Sequence, residues 1–192
     1  PVGRLQDKSK RFYVSDALKL ERGETYISRM DLNMEGGRVE QPQKPVIRFI
    51  TPIYDPGGTR RGILVLNLYG RPIIEGIGDI QARHNLRSDI ERQTMLLDSD
   101  GYWLYDSVNP GAEFAFMYPG RKEQNMRNVL PLSWRRLTSS GRKGLFLAPE
   151  GMYAFENIAL TEGKDQASLR GNKQGQPWKL VVFSPTGERA EV

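Results

Sequence analysis

Pro45-Val-Ile-Arg-Phe-Ile-Thr-Pro-Ile-Tyr-Asp-Pro-Gly-Gly-Thr-Arg-Arg-Gly-Ile-Leu-Val-Leu-Asn-Leu-Tyr-Gly70 consists of two apolar, β-branched runs around the tip Pro56-Gly57-Gly58-Thr59. That is the pattern of an antiparallel hairpin. Pro56 presets a turn dihedral, and Gly57 and Gly58 permit positive φ, so the reversal has a cause within the chain. With residues 56–59 as the loop, Asp55 stands opposite Arg60, Tyr54 opposite Arg61, Ile50 opposite Val65 and Arg48 opposite Asn67. Two polar residues then meet on the strand face that carries Val46, Ile50, Ile63 and Val65. A bulge would undo this register, and Pro52, which has no N–H for the ladder, is the natural place for one. A buried Arg needs a partner, because an unpaired desolvated charge is costly. Arg48 therefore has two readings. It is either a structural cation satisfied by backbone carbonyls or a nearby carboxylate, or a cation awaiting a small anionic ligand.

Outward from this hairpin, the 192 residues suffice for one large domain or two small ones. No run approaches the roughly 20 apolar residues that span a bilayer. The chain begins Pro-Val-Gly, with no initiator Met and no signal-peptide pattern, and is read as a piece of a longer protein. It has no cysteine, which excludes disulfides and thiolate metal sites and fits a periplasmic or extracellular bacterial domain. The net charge of +5 comes from 28 basic and 23 acidic residues, and the basic ones are scattered rather than blocked. Such an excess suits an anionic ligand or a nearby anionic membrane better than nucleic acid.

In chain order, 6–20 has a modest helical spacing, 24–30 is a short strand, and 31–44 is a loop or short hairpin. After the organising hairpin, 69–75 reads as a strand end passing into a Gly- and Pro-marked connection, and 79–92 as an exposed helix or linker. A second hairpin follows from Gln93, turning at Asp100-Gly101. Residues 109–128 are irregular, with Phe114, Phe116 and Tyr118 as anchors, and 131–140 is a short helix. Three more strands centre on Leu145, Tyr153 and Val181, the last two separated by a Gly- and Lys-rich loop over 161–176. The fold class is α+β: antiparallel sheets flanked by helices, in two tandem modules, without the βα alternation of a doubly wound fold.

No catalytic constellation is present. His84 is the only histidine and sits in a polar segment, so it reads as a solvated residue, and a His-based zinc site is excluded by count. Asp98-x-Asp100-Gly101 starts like a calcium loop but lacks its later ligands, so it reads as a hairpin turn. Trp103, Trp134 and Trp178 lie in or beside apolar segments and are core anchors. The chain carries no phosphate-loop, dinucleotide or nucleophile-elbow motif, no metal or catalytic residue is assigned, and no cofactor is expected.

The series Leu5-Gln-Asp-Lys-Ser, Arg11-Phe-Tyr, Tyr26-Ile-Ser, Asp31-Leu-Asn, then the 45–55 strand and Arg61-Gly-Ile-Leu-Val-Leu-Asn resembles the double-Cache family. Met95-Leu-Leu-Asp-Ser-Asp-Gly-Tyr-Trp-Leu, Phe116-Met, Pro131-Leu-Ser-Trp134 and Gly144-Leu-Phe resemble its membrane-proximal half. These are PAS-like extracytoplasmic sensor regions of bacterial histidine kinases, chemoreceptors and diguanylate cyclases. The resemblance implies a membrane-distal module over 1–78, whose N-terminal helix and first strands lie before Pro1. A connecting segment over 79–92 and a membrane-proximal module over 93–192 would follow. It also implies a periplasmic domain of an inner-membrane receptor, held by transmembrane helices outside this chain. The domain itself would be no enzyme, although the whole protein would carry a kinase or cyclase output. In the amino-acid-binding branch, a helix Arg and aromatics meet a Tyr-x-Asp and a late-strand Asp. Here Arg11 (with Lys10 as the alternative) and Tyr13 stand on the helix, Tyr26-x-Ser28 replaces Tyr-x-Asp, and Asn67 replaces the late Asp. Arg48 adds positive charge. The expected ligand site is therefore Arg11, Tyr13, Tyr26, Ser28, Arg48 and Asn67, and the expected ligand is a small carboxylate or other anion rather than an α-amino acid. The alternative is a non-catalytic interaction or dimerisation module without a small-molecule ligand, and homodimerisation is left open. A nucleic-acid-binding domain ranks last, and no nucleic-acid partner is expected.

Overall fold

A computed structural model of the chain describes residues 7–9, 11–85, 92–158, 169–171 and 178–186. The alternative cation Lys10, the far end of the 79–92 segment and most of the 161–176 loop lie outside these residues.

The chain enters through a short helix, α1 (Phe12–Ala17), then β1 (Thr25–Ile27), β2 (Asp31–Leu32) and a small hairpin of β3 (Met34–Glu35) and β4 (Arg38–Val39). The organising hairpin follows as β5 (Pro45–Tyr54) and β6 (Arg60–Tyr69). Its register places Arg48 opposite Asn67 and Ile50 opposite Val65, as the turn count requires. The expected Tyr54–Arg61 pair is displaced: Tyr54 faces Arg60, and the irregularity lies at Ile53/Tyr54. Pro52 stays in the ladder opposite Ile63. The tip explains the shift, because the Asp55 carboxylate accepts from Thr59 N at 2.8 Å and from Arg61 Nε at 2.8 Å. Gly58 takes φ +84°, the conformation for which its lack of Cβ is needed. Along its other edge β5 carries β1 (Tyr26 opposite Ile50) and then β2 (Asp31 opposite Val46). A short strand from late in the sequence, β11 (Leu169–Gly171), runs parallel to β1 in the same sheet.

Residues 69–75 do not form the expected strand-to-loop connection. Helix α2 (Arg71–Asn85) begins one residue after Gly70. Pro72 falls in its first turn, where a missing N–H leaves no bond unmade. Gly78 is accepted within the helix because the Tyr105 hydroxyl packs 3.3 Å from where a Cβ would stand.

The second sheet takes the order β8-β7-β12-β10-β9. Its strands are β7 (Gln93–Leu97), β8 (Trp103–Asp106), β9 (Lys143–Ala148), β10 (Gly151–Ile158) and β12 (Trp178–Pro185). The helices α3 (Met126–Val129) and α4 (Pro131–Ser139) cover it. Trp103 and Trp134 are buried against Met95, Leu137 and Tyr153, while Trp178 joins Leu32 and Ile47 of the first sheet and Leu96 and Leu104 of the second, with Met30 and Phe114 from the connecting segments. All three tryptophans are thus core. The Asp98 turn is a hairpin turn, with Oδ1 accepting from Asp100 N at 2.9 Å and Tyr102 N at 3.0 Å. Among the described residues no group of carboxylates or His could hold a metal ion.

One acid in this half gives a pH signature. Glu113 is half-buried and accepts a hydrogen bond from Asp106 N at 2.9 Å. Burial, reinforced by the nearby Asp106, pushes its carboxyl up to about 6 despite that hydrogen bond. The folded state therefore holds the proton longer than the unfolded chain, and stability falls as pH rises from about 4.5 to about 6. Glu113→Gln keeps the acceptor and removes that loss, worth about 1 kcal/mol, or roughly 2–4 °C in melting temperature at pH 7.5. Melts of both proteins from pH 4 to 8 should converge at the acid end. Parallel curves throughout would show that Glu113 does not titrate in this window.

Candidate functional site

A cavity of about 390 Å³ opens between the start of α1, the turn into β3 and the face of the β5–β6 hairpin that carries Arg48. Its polar lining comes from Lys8, Arg11, Tyr13, Asn33, Glu35, Arg48 and Asn67, and its apolar floor from Val14, Met34, Ile63 and Val65. The strand alternation places Arg48 here: Val46, Arg48 and Ile50 share one face of β5, and all three are buried.

Arg48 is 2% exposed and Asp31 is 1% exposed. Arg48 Nη1 forms an ion pair with Asp31 Oδ1, and Nη2 reaches Asn33 Oδ1 at 3.4 Å. Its guanidinium lies 4.9 Å from the centre of the Tyr13 ring, and its backbone N donates to Ser28 Oγ at 2.9 Å. Arg48 is thus not a cation waiting alone for a ligand. The carboxylate that satisfies it is Asp31, which opens the segment expected as a loop or short hairpin and was not among the expected site residues. Asp31 Oδ2 has no hydrogen-bond partner. Burial pushes the Asp31 carboxyl up more strongly than Arg48 pulls it down. The available signal was the alternation Asp31-Leu32-Asn33 beside a strand that carries a buried Arg.

Arg11 has the opposite surroundings. It occupies the N-cap of α1 in an extended conformation and makes no capping bond with its side chain. The side chain turns over the cavity, with Nη1 3.2 Å from Met34 Sδ and the guanidinium 5.8 Å from the Tyr13 ring centre. Its Nε is buried without an acceptor, and among the described residues no carboxylate pairs with it. Lys8, at the rim, pairs with Glu35 at 3.3 Å.

Of the six residues expected at a ligand site, Arg11, Tyr13, Arg48 and Asn67 share this cavity. Tyr26 and Ser28 do not line it. Both lie on the β1 side of Arg48, whereas the cavity opens on the β6 side. Tyr26 packs with Tyr13, Leu20 and Ile50, and its hydroxyl, bonded to Asp16, is pushed up to about 12 chiefly by burial. Ser28 Oγ is occupied by Arg48 N and donates to Arg29 O at 2.8 Å.

Residues 2–169 match the family described as bacterial histidine kinase, sensor domain. Among solved structures the chain is similar to the extracellular domain of a histidine kinase designated vpHK1S-Z8, at 21% identity and a TM-score of 0.68, over 94% of this chain and 56% of that one. It is also similar to a domain of a sensory box/GGDEF family protein from Vibrio parahaemolyticus, at 22% identity and a TM-score of 0.68, over 98% of this chain and 63% of that one. A third is the ligand-binding domain of the Pseudomonas fluorescens chemoreceptor CtaA in complex with L-serine, at 12% identity and a TM-score of 0.51, over 96% of this chain and 63% of that one. At these identities the likeness is one of fold. The chain spans 56 to 63% of the length of these solved chains. No curated protein matches it.

Proposed function

The chain belongs to the bacterial histidine kinase sensor domain family, and from that premise we propose that its cavity beside Arg48 binds a small carboxylate or other small anion. Domains of this family are the non-catalytic, extracellular sensing portions of membrane receptors. No described helix is long and apolar enough to cross a membrane. We further propose that 1–78 and 93–192 are the two modules, joined by 79–92, with the strand 169–171 contributed by the second to the sheet of the first, and that anchoring helices lie outside this chain.

The observation that carries the ligand class is Arg11, a guanidinium at the cavity wall with a buried Nε and, among the described residues, no carboxylate at ion-pair distance, although it lies near enough to Asp31 to help hold that carboxyl down. A carboxylate supplies what that fork lacks, through charge-assisted hydrogen bonds. The CtaA domain was solved with L-serine, which carries an ammonium as well. Here Asp31 is already committed to Arg48 and Glu35 to Lys8, while Ser28 and Asn67 are neutral. An ammonium therefore meets one lining acid, Glu35, which Lys8 already neutralises, while Asp31 does not line the cavity. Signalling additionally requires that the acid bind two arrangements of the receptor unequally.

Thermal-shift and calorimetric titrations with acetate, pyruvate, succinate and L-serine test this. At least one of the three acids without an ammonium should bind. Arg11→Ala should weaken that binding by tenfold or more, as expected for losing hydrogen bonds to a charged group. Retained affinity in Arg11→Ala, or a preference for L-serine, would remove the anion reading.

One feature favours the interaction-module alternative. On β6, which pairs only with β5 among the described residues, Leu64, Leu66, Leu68 and Tyr69 are exposed. An open apolar edge is a template for another strand. Concentration-dependent self-association that Leu66→Lys abolishes, with no acid binding, would establish that reading.

A further inference from the structure

We propose a second ligand site, between α2 and the second sheet, that takes a small carboxylic acid with an apolar body. A cleft of about 220 Å³ lies there, walled by Ile77 and Ile80 of α2 and by Leu180 and Val182 of β12. It shares no lining residue with the cavity beside Arg48.

Two polar groups interrupt the apolar walls. Thr94 on β7 is 7% exposed and lines the cleft. Its backbone bonds are made, with N accepted by Ser107 Oγ at 2.9 Å and O receiving Ser107 N at 3.1 Å. Its hydroxyl makes no hydrogen bond among the described residues. Arg92, just before β7, also lines the cleft and has no carboxylate partner among the described residues. Its position is fixed, because its carbonyl accepts from Gln81 Nε2 of α2 at 2.9 Å.

A helix that merely packs on a sheet fills such a gap with side chains, because interiors reach the density of organic crystals. Here the gap remains, and beside it stand a hydroxyl without a hydrogen bond and a guanidinium without a carboxylate among the described residues. The Thr94 hydroxyl is reached from the cleft, so its proton is available to a bound acceptor. Water alone suits the site poorly, since ordered water needs two to four polar partners and most of this wall is aliphatic. A carboxylate answers both groups at once: one oxygen accepts from Thr94 Oγ1 and the charge pairs with Arg92, while an apolar body lies between Ile80 and Leu180. Convergent polar groups in a mainly apolar pocket are the general form of a small-molecule site. The charge sign follows from Arg92, so an amine of the same shape is excluded.

The test uses hexanoate and benzoate as probes and hexylamine as the charge control, followed by amide chemical shifts of the 192-residue chain. Hexanoate or benzoate should shift Ile77, Thr94 and Leu180 saturably, and hexylamine should not. Arg92→Gln should weaken binding at least tenfold and Thr94→Val several-fold, with melting temperatures near that of the parent. Leu180→Trp, which fills the cleft with apolar bulk, should abolish the shifts while the β10–β12 amides keep their positions. Arg11→Ala should leave this binding unchanged, which separates it from the first site. Absence of shifts with both acids, equal shifts with hexylamine, or unchanged affinity in Arg92→Gln would overturn the proposal.

Discussion

Arg48→Ala is expected to lower folding stability by about 3–5 kcal/mol at neutral pH, because it strands Asp31 in the interior. Asp31 is 1% exposed and already has one oxygen without a partner, so it has no substitute for the lost cation. The penalty should depend on pH. Burial already pushes the Asp31 carboxyl up, and removal of Arg48 takes away its strongest opposing influence. A carboxyl whose folded value is raised contributes stability below its unfolded value and loses it as pH rises through the window between the two. The variant should therefore lie closest to the parent near pH 4.5 and furthest from it near pH 8, as read from urea midpoints. The double change Arg48→Met with Asp31→Leu should recover most of the loss, since a buried ion pair and an apolar pair of similar volume are often near-equivalent. A single Arg48→Ala variant as stable as the parent at pH 7 would show that the pair does not exist as described. This has a consequence for ligand work: failure of Arg48→Ala to bind an acid would reflect collapse of the cavity wall as readily as a lost contact. Arg11, which makes no ion pair among the described residues, is the informative position.

Arg29→Ala should cost about 2–4 kcal/mol and loosen the junction between the two sheets. Arg29 lies between β1 and β2, yet its partners belong to the second hairpin. Nη2 pairs with Asp98 Oδ2, Nη1 stands 4.0 Å from Asp100 Oδ2, and the guanidinium sits 3.7 Å from the Phe116 ring centre. Tyr102 presents a second ring at 5.6 Å. The loss should be smaller than for Arg48, because Asp98 keeps its hydrogen bonds from Asp100 N and Tyr102 N. Arg29→Lys should not restore it, since an ammonium has neither the planar stacking surface nor the fork. Hydrogen exchange should quicken at Asp100 and Tyr102 in both variants, with β9 and β10 little changed. Equal exchange at the junction in parent and variant would show that the contact is ornamental to the fold.

The organising hairpin was readable because each of its determinants is local. Alternation along β5 put Arg48 among Val46 and Ile50, and the loop count set it opposite Asn67. The shift at Tyr54 was not readable, since it depends on Asp55 turning its carboxylate onto both Thr59 N and Arg61 Nε. Helix α2 was read as starting too late because Pro72, Gly76 and Gly78 carry the local weight of a loop. Packing against Tyr105 outweighs that propensity. The site divided similarly. Arg11, Tyr13, Tyr26 and Ser28 were expected together from the family resemblance; the first two line the cavity, and the other two lie on the β1 side of Arg48.

The sequence by itself determined the α+β class, the two hairpins, the register of the first and the presence of a buried guanidinium on its inner face. All of these follow from side-chain period and turn chemistry between near neighbours. Tertiary structure alone decided that Asp31, 17 residues away, neutralises Arg48, and that Arg11 is the cation left over at the cavity. It also decided that Arg29 closes on the second hairpin. Those outcomes depend on which distant segments meet along the edges of β5, and a charge's partner is set by proximity in space, of which a single chain's local pattern carries no record.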